Sequence, residues 1–82
     1  MEIYILATVN TNNYGFNTKD VEVYSSYDDA QRRMEELYRE ECKERGVEPV
    51  EYDDIRGNAT NYLDCWYAYC HGVYWDIFHR II

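Results

Sequence analysis

Ile3, Ile5, Ala7 and Val9 alternate with Tyr4, Leu6 and Thr8 near the start of the chain. This period-2 run, rich in β-branched residues, predicts a strand that is apolar on both faces. The stretch TNNYGFNTKD interrupts it with Asn and Gly, residues that tolerate turn geometry. VEVYS then resumes the alternation, with Val21 and Val23 set against Glu22 and Tyr24. A hairpin with a long loop is expected.

From Ser26 the period changes. Ala30, Met34, Leu37, Tyr38 and Cys42 fall on one stripe of a helix. Ser26 followed three residues later by Asp29 has the form of a capping box. Asp28 and Asp29 suit the positive end of the helix dipole, Lys43 and Arg45 the negative end, and Gly46 offers a C-cap. The connector VEPVEYDDIRGNATN holds the only proline, Pro49, and reads as irregular.

The chain closes with YLDCWYAYC and VYWDIFHRII around His71-Gly72, which predicts a second hairpin with a two-residue turn. That turn places Cys70 opposite Val73 and Asp64 opposite His79. One side collects Trp66, Ala68, Cys70, Val73, Trp75, Ile77 and Ile81 as core. The other collects Tyr67, Tyr69, Tyr74, Asp76, Phe78 and Arg80 as an outer face. The expected fold is α+β: a single domain, 1–82, in the order ββαββ, with one amphipathic helix on an antiparallel sheet of about four strands.

Composition narrows the function. The chain has 82 residues, 46% of them hydrophobic, and ten tyrosines, which argues for a folded domain. So small a core leaves little room for a substrate-sized cavity. Sixteen acids against eight bases give a net charge of −8, which disfavours nucleic acid and anionic membranes and favours a basic protein partner. Three cysteines, Cys42, Cys65 and Cys70, make a poor disulfide framework. With no apolar run of signal or membrane length, the expectation is a cytoplasmic protein with reduced thiols.

Candidate chemistry does not assemble. Cys65, Cys70, His71 and His79 are zinc-competent residues, but their spacing fits no knuckle, and core packing is the better reading of the cysteines. There is no C-x-x-C motif and no glycine-rich phosphate loop, and Cys42 lies between Glu41 and Lys43 in an acidic chain. An Asp64–His79 pair could orient an imidazole, but a cross-strand ion pair is the commoner meaning. The expectation is a protein without cofactor, metal or catalysis.

The charge is uneven. The segment from Asp28 to Arg45 holds seven acids and five bases, a solvated helix face. Four of the remaining nine acids, Glu48, Glu51, Asp53 and Asp54, crowd the connector. If extended, Glu51 and Asp53 would lie about 7 Å apart on one side. Such a row can imitate the spacing of nucleic-acid phosphates, roughly 3.4 Å per charge along a strand. Exposed tyrosines suit interface anchors and can take the place of stacked bases. The candidate partner-binding set is therefore Glu48, Glu51, Asp53, Asp54, Tyr67, Tyr69, Tyr74 and Asp76.

In layout and acidity, IYILATVNTNNYG, VEVYSSYDDAQRRMEELYREE and CWYAYCHGVYWDIFHRII together resemble small bacteriophage and mobile-element proteins of the anti-CRISPR type. The resemblance implies a non-catalytic inhibitor, acting in the bacterial cytoplasm, that blocks a nucleic-acid-binding groove on an RNA-guided CRISPR nuclease. The alternatives are a protein that sequesters a signalling nucleotide between aromatic rings and a homodimeric interaction module.

Overall fold

The computed structural model describes residues 1–12, 18–50 and 61–82. The order is β1 (Glu2–Asn10), β2 (Thr18–Tyr24), α1 (Tyr27–Arg45), β3 (Asn61–Leu63), β4 (Tyr67–Cys70) and β5 (Val73–Ile81). The strands form one antiparallel sheet in the order β2-β1-β5-β4-β3, and α1 packs on one face. The α+β class is as expected, with five strands instead of about four. No helix among the described residues is long and apolar enough to cross a membrane.

The extra strand comes from a break inside YLDCWYAYC. Asp64 N donates to the Tyr67 carbonyl (2.8 Å) and Asp64 Oδ1 accepts from Cys65 N (2.6 Å). Asp at the first position of a tight turn is favoured because its side chain can take a local N–H in this way. Leu63 therefore pairs with Ala68, and Asp64 turns away from β5. The expected Asp64–His79 pair is not formed. His79 instead stacks on Tyr4 with ring centroids 4.8 Å apart, and its Nε2 lies 3.4 Å from Glu2.

The β4–β5 turn falls at His71-Gly72 as the pattern predicts. Both residues have positive φ, 47° and 87°, as the favoured two-residue hairpin turn requires. Its carbonyls are taken by the end of β1: Thr11 N and Oγ1 donate to Gly72 O (2.9 and 2.7 Å), and Asn12 Nδ2 donates to His71 O (2.8 Å). A Cβ at residue 72 would stand 2.6 Å from Asn12 Oδ1, so glycine is needed there for space as well as for φ.

Helix α1 follows its sequence signals. Ser26 Oγ accepts from Asp29 N (3.1 Å), and Gly46 adopts the left-handed conformation. Val47 N returns to Cys42 O (3.0 Å), closing the C-terminus. Ala30, Met34, Tyr38 and Cys42, each one turn apart, are fully buried against Leu6, Leu63, Ala68, Cys70, Val73, Trp75 and Ile77. A polar knot pins the end of the helix to the sheet. Asn61 hydrogen-bonds the Tyr38 hydroxyl through Oδ1 and donates from Nδ2 to Glu48 O (2.5 Å), while Val50 N donates to the same hydroxyl (2.8 Å). Every polar atom of the Asn61 side chain is thus satisfied, as burial demands.

Two residues assigned to the core lie outside it. Trp66 and Ile81 belong to the expected side of the sheet, but they lie outside the buried stripe of the helix, and are 45% and 74% exposed. Trp66 rests on Tyr27 with centroids 4.6 Å apart, and the Tyr27 hydroxyl donates to Cys65 O (2.5 Å). Trp75, by contrast, is 2% exposed and meets Tyr38 edge-on at 6.2 Å. The two tryptophans should therefore separate in a urea melt. Trp75→Ala should cost about 3 to 5 kcal/mol, and Trp66→Ala about 1 to 2 kcal/mol. Equal losses would contradict this placement.

Candidate functional site

A single helix covers only one face of the sheet. Among the described residues nothing packs on the other, and the strand register fixes what it displays. Across the strands run three rows: Val23, Ile5 and Phe78; Val21, Ala7, Asp76 and Tyr67; and Val9, Tyr74, Tyr69 and Tyr62. Val21, Val23, Tyr67, Tyr74 and Phe78 are all more than 40% exposed. An antiparallel sheet with one solvated face ordinarily turns polar side chains outward. Here the valines of β2 point out, while Glu22 points toward the helix and meets Arg33 Nε at 3.3 Å.

The tyrosines of this face form a continuous ring system. Tyr62 stacks on Tyr67 (5.3 Å) and on Tyr69 (5.8 Å), and Tyr69 leans on Tyr74 (5.8 Å). Cross-strand aromatic pairs of this kind stiffen a sheet and preset the rings for contact. The Tyr62 hydroxyl is bonded to both Tyr67 and Asp64, which holds its proton more tightly than usual, the Tyr67 contact most of all. Tyr67, Tyr69, Tyr74 and Asp76 are therefore brought together as expected. Tyr62 joins them, a residue the sequence pattern missed because the break at Asp64 shifts β3 into a new register.

The acids do not share this face. Asp76 lies on it and Asp64 at its edge, bonded to the Tyr62 hydroxyl, against Lys19 and Arg80 on the same side of their strands. Glu48 is exposed just after the helix, where its carbonyl caps Asn61. Glu51, Asp53 and Asp54 lie outside the described residues. The described carboxylates of β2 and α1 belong to the helix side or to the helix itself, including Asp20, Glu22, Glu40, Glu41 and Glu44.

The metal candidates are dispersed. Cys65 is exposed in the β3–β4 turn, His79 is stacked on Tyr4, and Cys70 is buried with its Sγ 3.9 Å from that of Cys42. Among the described residues no three of His, Cys, Asp and Glu converge as a metal site would need. Burial, with the neighbouring Cys42 thiol, pushes the Cys70 thiol up to about 12, so it is not a nucleophile at neutral pH. No protein-family model, curated protein or solved structure matches the chain.

Two measurements check this surface. Asp76 loses part of its hydration among its neighbours, which raises its pKa. A raised carboxyl pKa means the folded state holds its proton more readily, so stability falls as pH climbs through the carboxylate range. Asp76→Asn should therefore raise the melting temperature at pH 7, and the gain should vanish in acid; a pH-independent change would contradict this. A thiol reagent should label Cys65 at once, and Cys42 and Cys70 only on unfolding.

Proposed function

We propose that this chain is a non-catalytic binding protein that inhibits a basic, nucleic-acid-handling partner, with the open sheet face as its anchoring surface. A guide-loaded CRISPR nuclease is the specific candidate. The observation that carries the reading is the stacked set Tyr62, Tyr67, Tyr69 and Tyr74, prearranged on a face on which no described residue packs. Rigid tyrosines add contact area at low entropic cost and are enriched among interface hot spots. Glu48, with Glu51, Asp53 and Asp54 by sequence spacing, would engage arginines and lysines of the partner.

A second reading has its own support. Only Asp76 and Asp64 among the described acids meet the open face, against Lys19 and Arg80, on a chain of net charge −8, so two copies would meet there with least repulsion. In that arrangement the acidic helix sides would face outward on both copies, still available to a basic partner.

The test is target-DNA binding by a panel of guide-loaded nucleases, with and without the protein. Dose-dependent loss of binding for at least one nuclease is expected, with Tyr69→Ser/Tyr74→Ser weakening the protein's effect by about tenfold or more and Glu51→Lys/Asp53→Lys weakening it by an amount that shrinks as salt rises. No effect on binding or cleavage across the panel would overturn the nuclease reading. Sedimentation over a wide concentration range separates the second reading: a dimer lost in the tyrosine variant supports it, and a strict monomer removes it.

A further inference from the structure

The two edges of the sheet are unequal. β3 closes one edge with three residues, and β2 closes the other with seven. The register of β2 on β1 runs without a bulge from Tyr24 opposite Tyr4 to Thr18 opposite Asn10, and the strand contains no proline. Unpaired N–H and C=O groups make an edge strand a template for another chain. Proteins usually blunt such an edge by shortening or bulging it, or by placing proline or charge on it. Of these devices β2 has only the charge, at Lys19, Asp20 and Glu22. Among the described residues no strand pairs with its outer side.

The phase of the backbone bonds fixes which groups lie along that side. Thr11 N donates to Gly72 O (2.9 Å) and Ile82 N to Met1 O (2.7 Å), so odd-numbered residues of β1 bond toward β5 and even-numbered ones toward β2. Asp20, Glu22 and Tyr24 face those even-numbered residues and bond back to them. The N–H and C=O groups of Lys19, Val21 and Val23 therefore point outward. The side chains of Val21 and Val23 are 64% and 60% exposed on the open face, while Asp20 and Glu22 lie on the helix side. In an added antiparallel strand, residues opposite Val21 and Val23 exchange main-chain bonds. Residues opposite Asp20 and Glu22 fall in the non-bonded pairs, where side chains come closest.

That charge selects the occupant. Facing residues of an antiparallel pair share a side of the sheet, so β2 against the β2 of a second copy must centre on a residue. The registers that pair more than half of the strand centre on Asp20, Val21 or Glu22. They set Asp20 against Asp20, Asp20 against Glu22, or Glu22 against Glu22, and like charges directly opposed destabilise a sheet. A basic strand meets opposite charge at the same positions. Asp20 has no ion-pair partner among the described residues, and Glu22, although paired with Arg33, stays 38% exposed. We infer that the outer edge of β2 accepts, by strand addition, an extended segment of a basic protein in which Lys or Arg alternates with β-branched residues. The basic side chains face Asp20 and Glu22, and the branched ones extend the apolar rows beside Val21 and Val23. The inference shares the basic partner with the proposed function, but it does not rest on the tyrosine face and is tested without any nuclease.

The experiment titrates ¹⁵N-labelled protein with a blocked peptide of alternating lysine and valine, as long as β2. The Val21 and Val23 amide signals should move saturably and their hydrogen exchange should slow. The Asp20 and Glu22 amides, already bonded to β1, should change little. Parallel peptides separate backbone pairing from charge: the same residues in two blocks, alternating glutamate and valine, and the parent peptide N-methylated at its valines. None of these should saturate the shift. Asp20→Lys should raise the dissociation constant of the parent peptide about threefold or more. Val21→Pro, a change that an edge strand tolerates where its N–H faces solvent, should raise it about tenfold or more. The methylated peptide keeps the test independent of how well that variant folds. The inference is overturned if the Val21 and Val23 amides do not move, if the block or glutamate peptide binds as well as the parent, or if methylation leaves binding intact. It is also overturned if those signals shift with protein concentration alone, which would assign the edge to a second copy. Saturable binding of the alternating peptide with no nuclease inhibited retains the edge and removes the inhibitor reading; the opposite pair of results does the reverse.

Discussion

One helix can cover one face of a five-stranded sheet, and the rest of this molecule follows from that limit. The buried stripe of α1, from Ala30 through Met34 and Tyr38 to Cys42, closes over Leu6, Ala68, Cys70, Val73 and Trp75 and forms the core. Residues outside that core, such as Trp66 and Ile81, stay exposed although their strands point them to the same side. No described residue packs on the second face of the sheet, which leaves it to water or to a partner. In a chain this short the core has little surplus stability, so side chains on that second face carry information about use.

Seen from the two sides, the molecule separates its chemistry. One side is aromatic and branched aliphatic, with Tyr62, Tyr67, Tyr69 and Tyr74 in a chain of ring contacts beside the carboxylates of Asp76 and Asp64. The other carries the helix, its ion pairs, and an acidic cleft lined by Asp20, Glu40, Glu41 and Glu44. Exposed intrahelical ion pairs such as Glu35–Arg39 and Glu41–Arg45 contribute little to stability. They do engage the helix arginines, so that among the described residues Asp20, Glu40 and Glu44 have no ion-pair partner. A basic partner and an aromatic-seeking partner would therefore approach from opposite directions, unless one molecule wraps both.

Much of this was legible in the sequence. The helix, with its Ser26 cap and Gly46 stop, rests on local rules that tertiary packing did not override. The β4–β5 register followed from placing the turn at His71-Gly72, and with it the outward direction of Tyr67, Tyr69 and Tyr74. The break at Asp64 was not legible, because YLDCWYAYC has the composition of one continuous strand and the turn rests on one aspartate taking a neighbouring N–H. Burial at the strand ends depended on where the helix stops in space, which periodicity does not report. The acidic cleft was hidden for the same reason: Asp20 and Glu44 are brought together only by the helix crossing the sheet.

The central claim is that the tyrosine face is free surface in the isolated chain. Hydroxyl-radical footprinting at dilute, monomeric concentration measures this directly, residue by residue. Tyr67, Tyr74 and Phe78 should be oxidised rapidly, Trp66 should follow, and Tyr38 and Trp75 should be protected until the chain unfolds. Protection of Tyr67, Tyr74 and Phe78 to the level of Tyr38 would mean the face is already covered, and would contradict the account.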